Sequence, residues 1–152
     1  MIFNLIATLF ALLDSTSTVM NSTTNIVNKY VAIGASDAVG VGTTHPSKDG
    51  WVPKFAALAN AQQTVNLGRS GSTLADAMRE QLPKALEHQP NLVTVWLAVN
   101  DFNQQIFNPA ILTSYRSDLN RMLTQLRNKL DPSARILVGN IPDLSQVSIY
   151  TA

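Results

Sequence analysis

The chain has no cysteine. A disulfide, a thiolate metal site and a cysteine nucleophile are therefore excluded. Imidazole is nearly as scarce, with His45 and His88 the only histidines. A zinc site draws its ligands mainly from Cys, His and carboxylates, so no metal is expected, and no phosphate-loop or dinucleotide fingerprint points to a cofactor. Charge of one sign is missing too. Eleven basic and ten acidic residues are interspersed, for a net charge of +1, which leaves no basic face for nucleic acid and no acidic tail. A small neutral or mildly polar partner fits this balance best; nothing in the composition fixes an oligomeric state.

Long apolar runs are also lacking. The longest at the start, "MIFNLIATLFALL" (1–13), is too short to span a bilayer, and a polar Ser/Thr-rich stretch, "DSTSTVMNSTTN" (14–25), follows it. The pairing suggests an export signal with a tether over residues 1–27, hence an extracellular or cell-envelope location. Against it, no Lys or Arg precedes Lys29 and no A-x-A cleavage site is present; a frayed helix or a mis-set translation start, with a cytoplasmic location, is the alternative. Asn21-Ser22-Thr23 fits the N-glycosylation triplet, which matters only in a eukaryotic secretory host.

What the chain does have is 45% hydrophobic residues in a length of 152, enough for one domain with a core of its own. From Asn28 onward β-prone runs alternate with helical patterns. "YVAIGA" (30–35), "QTVNLG" (63–68), "NLVTVWLAV" (91–99) and "ARILVGNI" (134–141) read as four buried parallel strands. Between them, residues 50–61, 73–89 and 109–130 read as helices. In the last, Ile111, Leu112, Tyr115, Leu119, Met122, Leu123, Leu126 and Leu130 recur at helical spacing, and Pro109 suits a first turn. Arg116, Asp118, Arg121, Arg127 and Lys129 form its solvated face. Pro83 is expected to kink or interrupt the second helix. Strict alternation implies a doubly wound α/β/α sandwich of flavodoxin-like type, whose ligands gather at the carboxyl ends of the strands.

Three of those strand ends carry polar residues. The first loop holds Gly34, Ser36, Asp37, Gly40 and Gly42, but neither G-x-G-x-x-G, G-x-x-x-x-G-K-[ST] nor G-x-S-x-G can be laid on it. Taken alone it is a glycine-rich turn in which Ser36 bonds to local backbone. The second, "NLGRSGST" (66–73), puts Gly71 just before a helix whose N-cap is Ser72 or Thr73; unpaired first-turn N–H groups there can serve an oxyanion or simply a cap. The third, "AVNDFN" (98–103), sets Asn100 and Asp101 after the most apolar strand, either as a donor into the crevice or as an ordinary turn.

Together the three resemble the SGNH superfamily of hydrolases, also called GDSL-type esterases and lipases, over residues 28–145. "AIGASDAVGVG" is similar to the block with the nucleophilic serine, "VNLGRSGST" to the block with the oxyanion glycine, and "WLAVNDF" to the G-x-N-D block; "GNIPDL" (139–144) resembles the segment after the fourth strand. The resemblance implies that Ser36 attacks an ester carbonyl while the N–H groups of Ser36 and Gly71 and the amide of Asn100 hold the oxyanion. The implied partner is a small-molecule ester. The chain departs from the pattern in three places. The acid of Gly-Asp-Ser comes one position late, as Asp37 after Ser36; Ala98 stands where a glycine is usual; and no D-x-x-H block, the source of the base, occurs in the 152 residues. Residues 28–152 thus read as a partial hydrolase domain lacking a final strand and helix, with an apolar crevice and one uncovered sheet flank. His45 and His88 are not expected to replace the base. A non-catalytic carbohydrate- or acyl-binding relative and a flavodoxin-like binder of a phosphorylated ligand remain as alternatives.

Overall fold

The computed structural model describes residues 26–105 and 107–140. The apolar start, the Ser/Thr-rich stretch up to residue 25, and the residues after 140, including most of "GNIPDL", lie outside the described residues.

Among the described residues four parallel strands form one sheet: β1 (Lys29–Gly34), β2 (Gln63–Asn66), β3 (Leu92–Trp96) and β4 (Arg135–Val138), in the spatial order β2-β1-β3-β4. Their registers pair Val31 with Val65 and Val93, and Val93 with Ile136. Parallel neighbours need crossover connections, and the helices supply them: α1 (Ser36–Val39), α2 (Pro46–Asp49), α3 (Trp51–Leu58), α4 (Leu74–Glu87), α5 (Val99–Gln104) and α6 (Ile111–Lys129).

Side chains alternate across a strand, and the two faces of β1 and β3 are accordingly shared between two apolar clusters. Val31, Ile33, Val93 and Val95 pack with Leu74, Ala77, Leu82 and Ala85 of α4 and with Met122 and Leu126 of α6. On the other face Tyr30, Ala32 and Leu92 pack with Val52 and Ala56 of α3 and with Ala38 of α1. The result is the expected three-layer α/β/α arrangement. Tyr30 carries its hydroxyl into the second cluster, where Thr94 Oγ1 lies 2.7 Å away and burial pushes the phenol up to about 12.

Several details depart from the sequence reading. All four strands were read as buried; among the described residues β1 and β3 are, while β2 and β4 each pair on one side only, and Leu137 and Val138 are respectively 45% and 44% exposed. Apolar composition is the same for a central strand and for an edge, and only the strand order separates them. β3 stops at Trp96, and the residues after it turn into α5 instead of extending to 99. α4 runs unbroken through Pro83. The ring of Pro83 is on the solvent side, and the carbonyl four residues back, which loses its partner, belongs to exposed Arg79, while Leu82 and Ala85 hold both sides of the proline in the core. Pro109 precedes α6, whose N-cap is Ala110. Leu112, expected on the buried face of α6, is 58% exposed; the cover is complete only toward Met122, Leu126 and Leu130. Among the described residues no helix is long and apolar enough to cross a membrane.

Candidate functional site

The chain goes from β1 out to the edge strand β2 and then returns to β3 on the opposite side of β1. The strand order therefore reverses between β1 and β3, and that is where an open parallel sheet leaves a crevice at its carboxyl end. A cleft of about 270 Å³ occupies this place, lined by Ala35, Ser36 and Asp37 after β1 and by Trp96, Leu97, Ala98, Val99 and Asn100 after β3.

Ser36 is the first residue of α1, a helix of a single turn. What holds so short a helix is close packing. Ala38 sits against Gly34 at the end of β1 and Gly68 beyond β2, where a Cβ on either glycine would lie 2.6 or 2.7 Å from the Ala38 Cβ. Real Cβ atoms do not come that near, so both positions need glycine for α1 to seat on the strand ends. Asn66 reinforces the seat: its Nδ2 donates to the Ala38 carbonyl at 2.6 Å and its Oδ1 accepts from the Gly68 N–H at 2.9 Å. Ser36 is half-buried, facing the cleft, whereas Asp37 is exposed and accepts from Trp51 Nε1 at 3.2 Å.

Gly71 lies in an exposed turn with φ +81°, a conformation that an L side chain rarely adopts, in a region where a Cβ would meet nothing within 4 Å. Glycine is required here by the backbone alone. Thr73 is the N-cap of α4 in a full capping box, its Oγ1 accepting from the Asp76 N–H at 3.2 Å and its own N–H donating to Asp76 Oδ2 at 3.1 Å. The Thr73 N–H, then the Thr73 hydroxyl and Arg79, bring the Asp76 carboxyl down from 3.8 to about 2.

The loop after β3 turns at Ala98, which is fully buried at φ +139°. Glycine is usual here in the resembling family, and the observed backbone shows why: the position demands a conformation that costs alanine energy. The turn aims Asn100 and Asp101 in different directions. Asn100 Nδ2 donates to the Ser72 carbonyl at 2.9 Å, and Gln104 Nε2 to the Gly71 carbonyl at 3.3 Å. Asp101 is buried and accepts the Leu74 N–H on both carboxylate oxygens, at 3.0 and 3.1 Å, closing the first turn of α4. Burial pushes its carboxyl upward, partly offset by that Leu74 N–H.

Of the three expected site residues, the structure brings two to the same cleft. Ser36 and Asn100 line one cleft. Gly71 is not part of its lining; it is joined to the cleft through the next residue, whose carbonyl takes the Asn100 amide. The histidines stand apart from the cleft lining: His45 Nδ1 is 3.2 Å from Asp49 Oδ2 in an exposed pair, and His88 caps the end of α4. Among the described residues no three His, Asp or Glu side chains are grouped to hold a metal ion. Sequence reasoning passed over two buried polar groups of this region, the carboxylate of Asp101 as a tie to α4, and Gln81. The second had a signal: Leu74, Ala77, Gln81 and Ala85 share one face of α4, and an amide in an otherwise apolar stripe needs buried partners.

Fold and crevice together define a doubly wound α/β protein with a serine and an amide facing each other's strand ends at the switch point. The chain belongs to the GDSL-like lipase/acylhydrolase family, whose model matches residues 32–151. Among solved structures it is similar to TesA, with 26% identity and a TM-score of 0.60 over 80% of this chain and 66% of that one. It is also similar to the psychrotrophic esterase EstA from Pseudoalteromonas sp. (20% identity, TM-score 0.58, 75% of this chain and 60% of that one). A third is Axe2, an acetylxylan esterase from Geobacillus stearothermophilus (19%, TM-score 0.60, 82% and 67%). Several of the matched structures are longer: the chain spans 60% of the Pseudoalteromonas esterase and 58% of AlinE4, an SGNH-hydrolase family esterase. No curated protein matches the sequence.

Proposed function

We propose that this chain carries the nucleophile and the oxyanion donors of a serine ester hydrolase acting on small acyl or carbohydrate esters. The observation that supports it most is the shared cleft: a half-buried serine and a side-chain amide on opposite sides of the β1/β3 switch point. In this reading Ser36 Oγ attacks the ester carbonyl and gives its proton to an imidazole. The carbonyl oxygen, now negative, is held by the N–H groups of Ser36 and Gly71 and by the second N–H of Asn100 Nδ2, the first being committed to Ser72. The tetrahedral adduct expels the alcohol, which takes the proton back, and water then releases the acyl group from Ser36. Fixing Asn100 on Ser72 orients its free N–H before substrate arrives, which is what makes such a donor worth about 3 to 4 kcal/mol. Leu97, Val99 and Trp96 give the cleft a mostly apolar wall, suited to a short acyl group.

Within the 152 residues neither His45 nor His88 lines the cleft and no D-x-x-H block occurs, so the test supplies that imidazole. The second reading, a non-catalytic acyl- or carbohydrate-binding relative, rests on the same apolar-walled cleft. Hydrolysis of p-nitrophenyl acetate separates the two. Alone the chain should give trace activity; joined to a C-terminal segment bearing the D-x-x-H block, it should gain on the order of a million-fold. In the joined protein Ser36→Ala should abolish turnover, and Asn100→Ala should lower it roughly a hundred- to a thousand-fold. Activity unchanged by Ser36→Ala refutes the hydrolase reading; a joined protein that binds acetate esters without cleaving them supports the binding one.

A further inference from the structure

Gln81 projects from the middle of α4 into the core and is 3% exposed. Its amide is used at both ends. Oε1 accepts the Gly34 N–H at 3.0 Å, and Nε2 donates to the Gly34 carbonyl at 3.0 Å and to Ser72 Oγ at 3.3 Å. Gly34 lies two residues before Ser36 and Ser72 directly after Gly71. One buried side chain therefore grips the peptide groups that lead into the serine and the hydroxyl next to the turn glycine. The Ser72 carbonyl in turn holds Asn100, and the Arg69 N–H adds a backbone tie to the Gly34 carbonyl at 3.2 Å. The chain of bonds runs Gly34, Gln81, Ser72, Asn100, and it crosses all three strand-end loops.

We infer that Gln81 is a positioning residue: it sets the distance between the Ser36 strand end and the Gly71–Asn100 donors, without touching the ester itself. The inference takes its functional meaning from the hydrolase reading above, but its physical content stands apart from it. An apolar side chain of similar length would fill the same space. It would leave the buried Gly34 N–H without its acceptor, and the two loops would keep the Arg69 tie and the Asn66 bond to Ala38 but lose the link from Gly34 to Ser72.

The test compares Gln81→Met and Gln81→Glu with the parent chain by amide hydrogen exchange followed residue by residue. In Gln81→Met the Gly34 amide should exchange at least about tenfold faster and the amide signals of Ser36 and Ser72 should shift, while Val93 and Val95 in β3 keep parental rates. Gln81→Glu covers the case in which the methionine variant does not fold. A protonated glutamic acid both donates and accepts, so it keeps both Gly34 bonds at acid pH; the ionised carboxylate still accepts the Gly34 N–H but has no proton for the Gly34 carbonyl, so the amide signals of Ala35 and Ser72 should leave their parental positions as the introduced carboxyl ionises. In the joined protein Gln81→Met should lower kcat at least about tenfold with KM within about twofold, a split that simple loss of packing does not give. The inference is overturned if Gly34 exchange is unchanged in Gln81→Met, if it rises equally throughout β3, or if the Ala35 and Ser72 amide signals of Gln81→Glu show no pH dependence beyond the parent's. Should Ser36 prove not to be a nucleophile, the hydrolase reading falls, and the exchange comparison still decides whether Gln81 couples the loops.

Discussion

Replacing Ala98 by glycine isolates the strain stored beside Asn100. At φ +139° a non-glycine residue costs about 1 to 3 kcal/mol. Glycine removes that cost but gives up about 0.8 kcal/mol for the buried methyl, since Ala98 is 2% exposed. It also adds about 0.5 to 1 kcal/mol of unfolded-state entropy. The terms nearly cancel, so Ala98→Gly should leave stability within about 1.5 kcal/mol of the parent, on either side. The informative comparison is Ala77→Gly. Ala77 is 0% exposed in the interior of α4, where the same methyl is lost and glycine costs about 0.8 to 1.0 kcal/mol in the helix, with no strain to relieve. That variant should lose about 1.5 to 2 kcal/mol. Urea unfolding with an unchanged m value gives both numbers, and their difference should be about 1 to 3 kcal/mol in favour of Ala98→Gly. If the two substitutions cost the same, the backbone at 98 is not strained and the account of that loop is wrong.

Asp101→Ala should destabilise by about 1 to 3 kcal/mol, because the Leu74 N–H is left buried without an acceptor, whereas Asp101→Asn, which keeps one, should cost much less; equal losses would refute the tie to α4. The Asp101 carboxyl titrates above its ordinary 3.8 in the folded chain, so its contribution is full below that value and declines as pH rises; Asp101→Asn should therefore gain on the parent across that rise, read from urea midpoints at successive pH values. Asp76 has the opposite sign. Its carboxyl is held down at about 2, so its contribution is present above 3.8 and lost as pH falls toward 2, and the parent's advantage over Asp76→Asn should shrink through that window.

Much of this site was legible because its parts are local. The Val, Ile and Leu runs mark β1 and β3, the repeat through Met122 and Leu126 marks α6, and Ser36 and Asn100 can be read as strand-end residues from the chain alone. The four-residue helices α1 and α2 could not be read, since one turn of helix shows no period. Strand order was equally hidden: "ARILVGNI" looks like a central strand, but among the described residues β4 pairs on one side only, with β3. The ties that join the loops span 47 residues from Gln81 to Gly34 and 27 from Asp101 to Leu74, and contacts at that separation leave no pattern within any single segment. At Ala98 the sequence showed a departure from a glycine; only the backbone angle says what the departure costs.

The central claim is that Ser36 is the atom acylated in the β1/β3 cleft, and covalent trapping tests it without depending on the right substrate. The chain joined to a D-x-x-H segment is treated with a fluorophosphonate beside the chain alone, and the adduct is mapped by mass spectrometry. One adduct, on Ser36, is the predicted result, absent in Ser36→Ala, about a hundred- to a thousand-fold slower in Asn100→Ala, and at least a thousand-fold slower without the appended segment. An adduct on another residue, or labelling at the parental rate in Ser36→Ala, would contradict it.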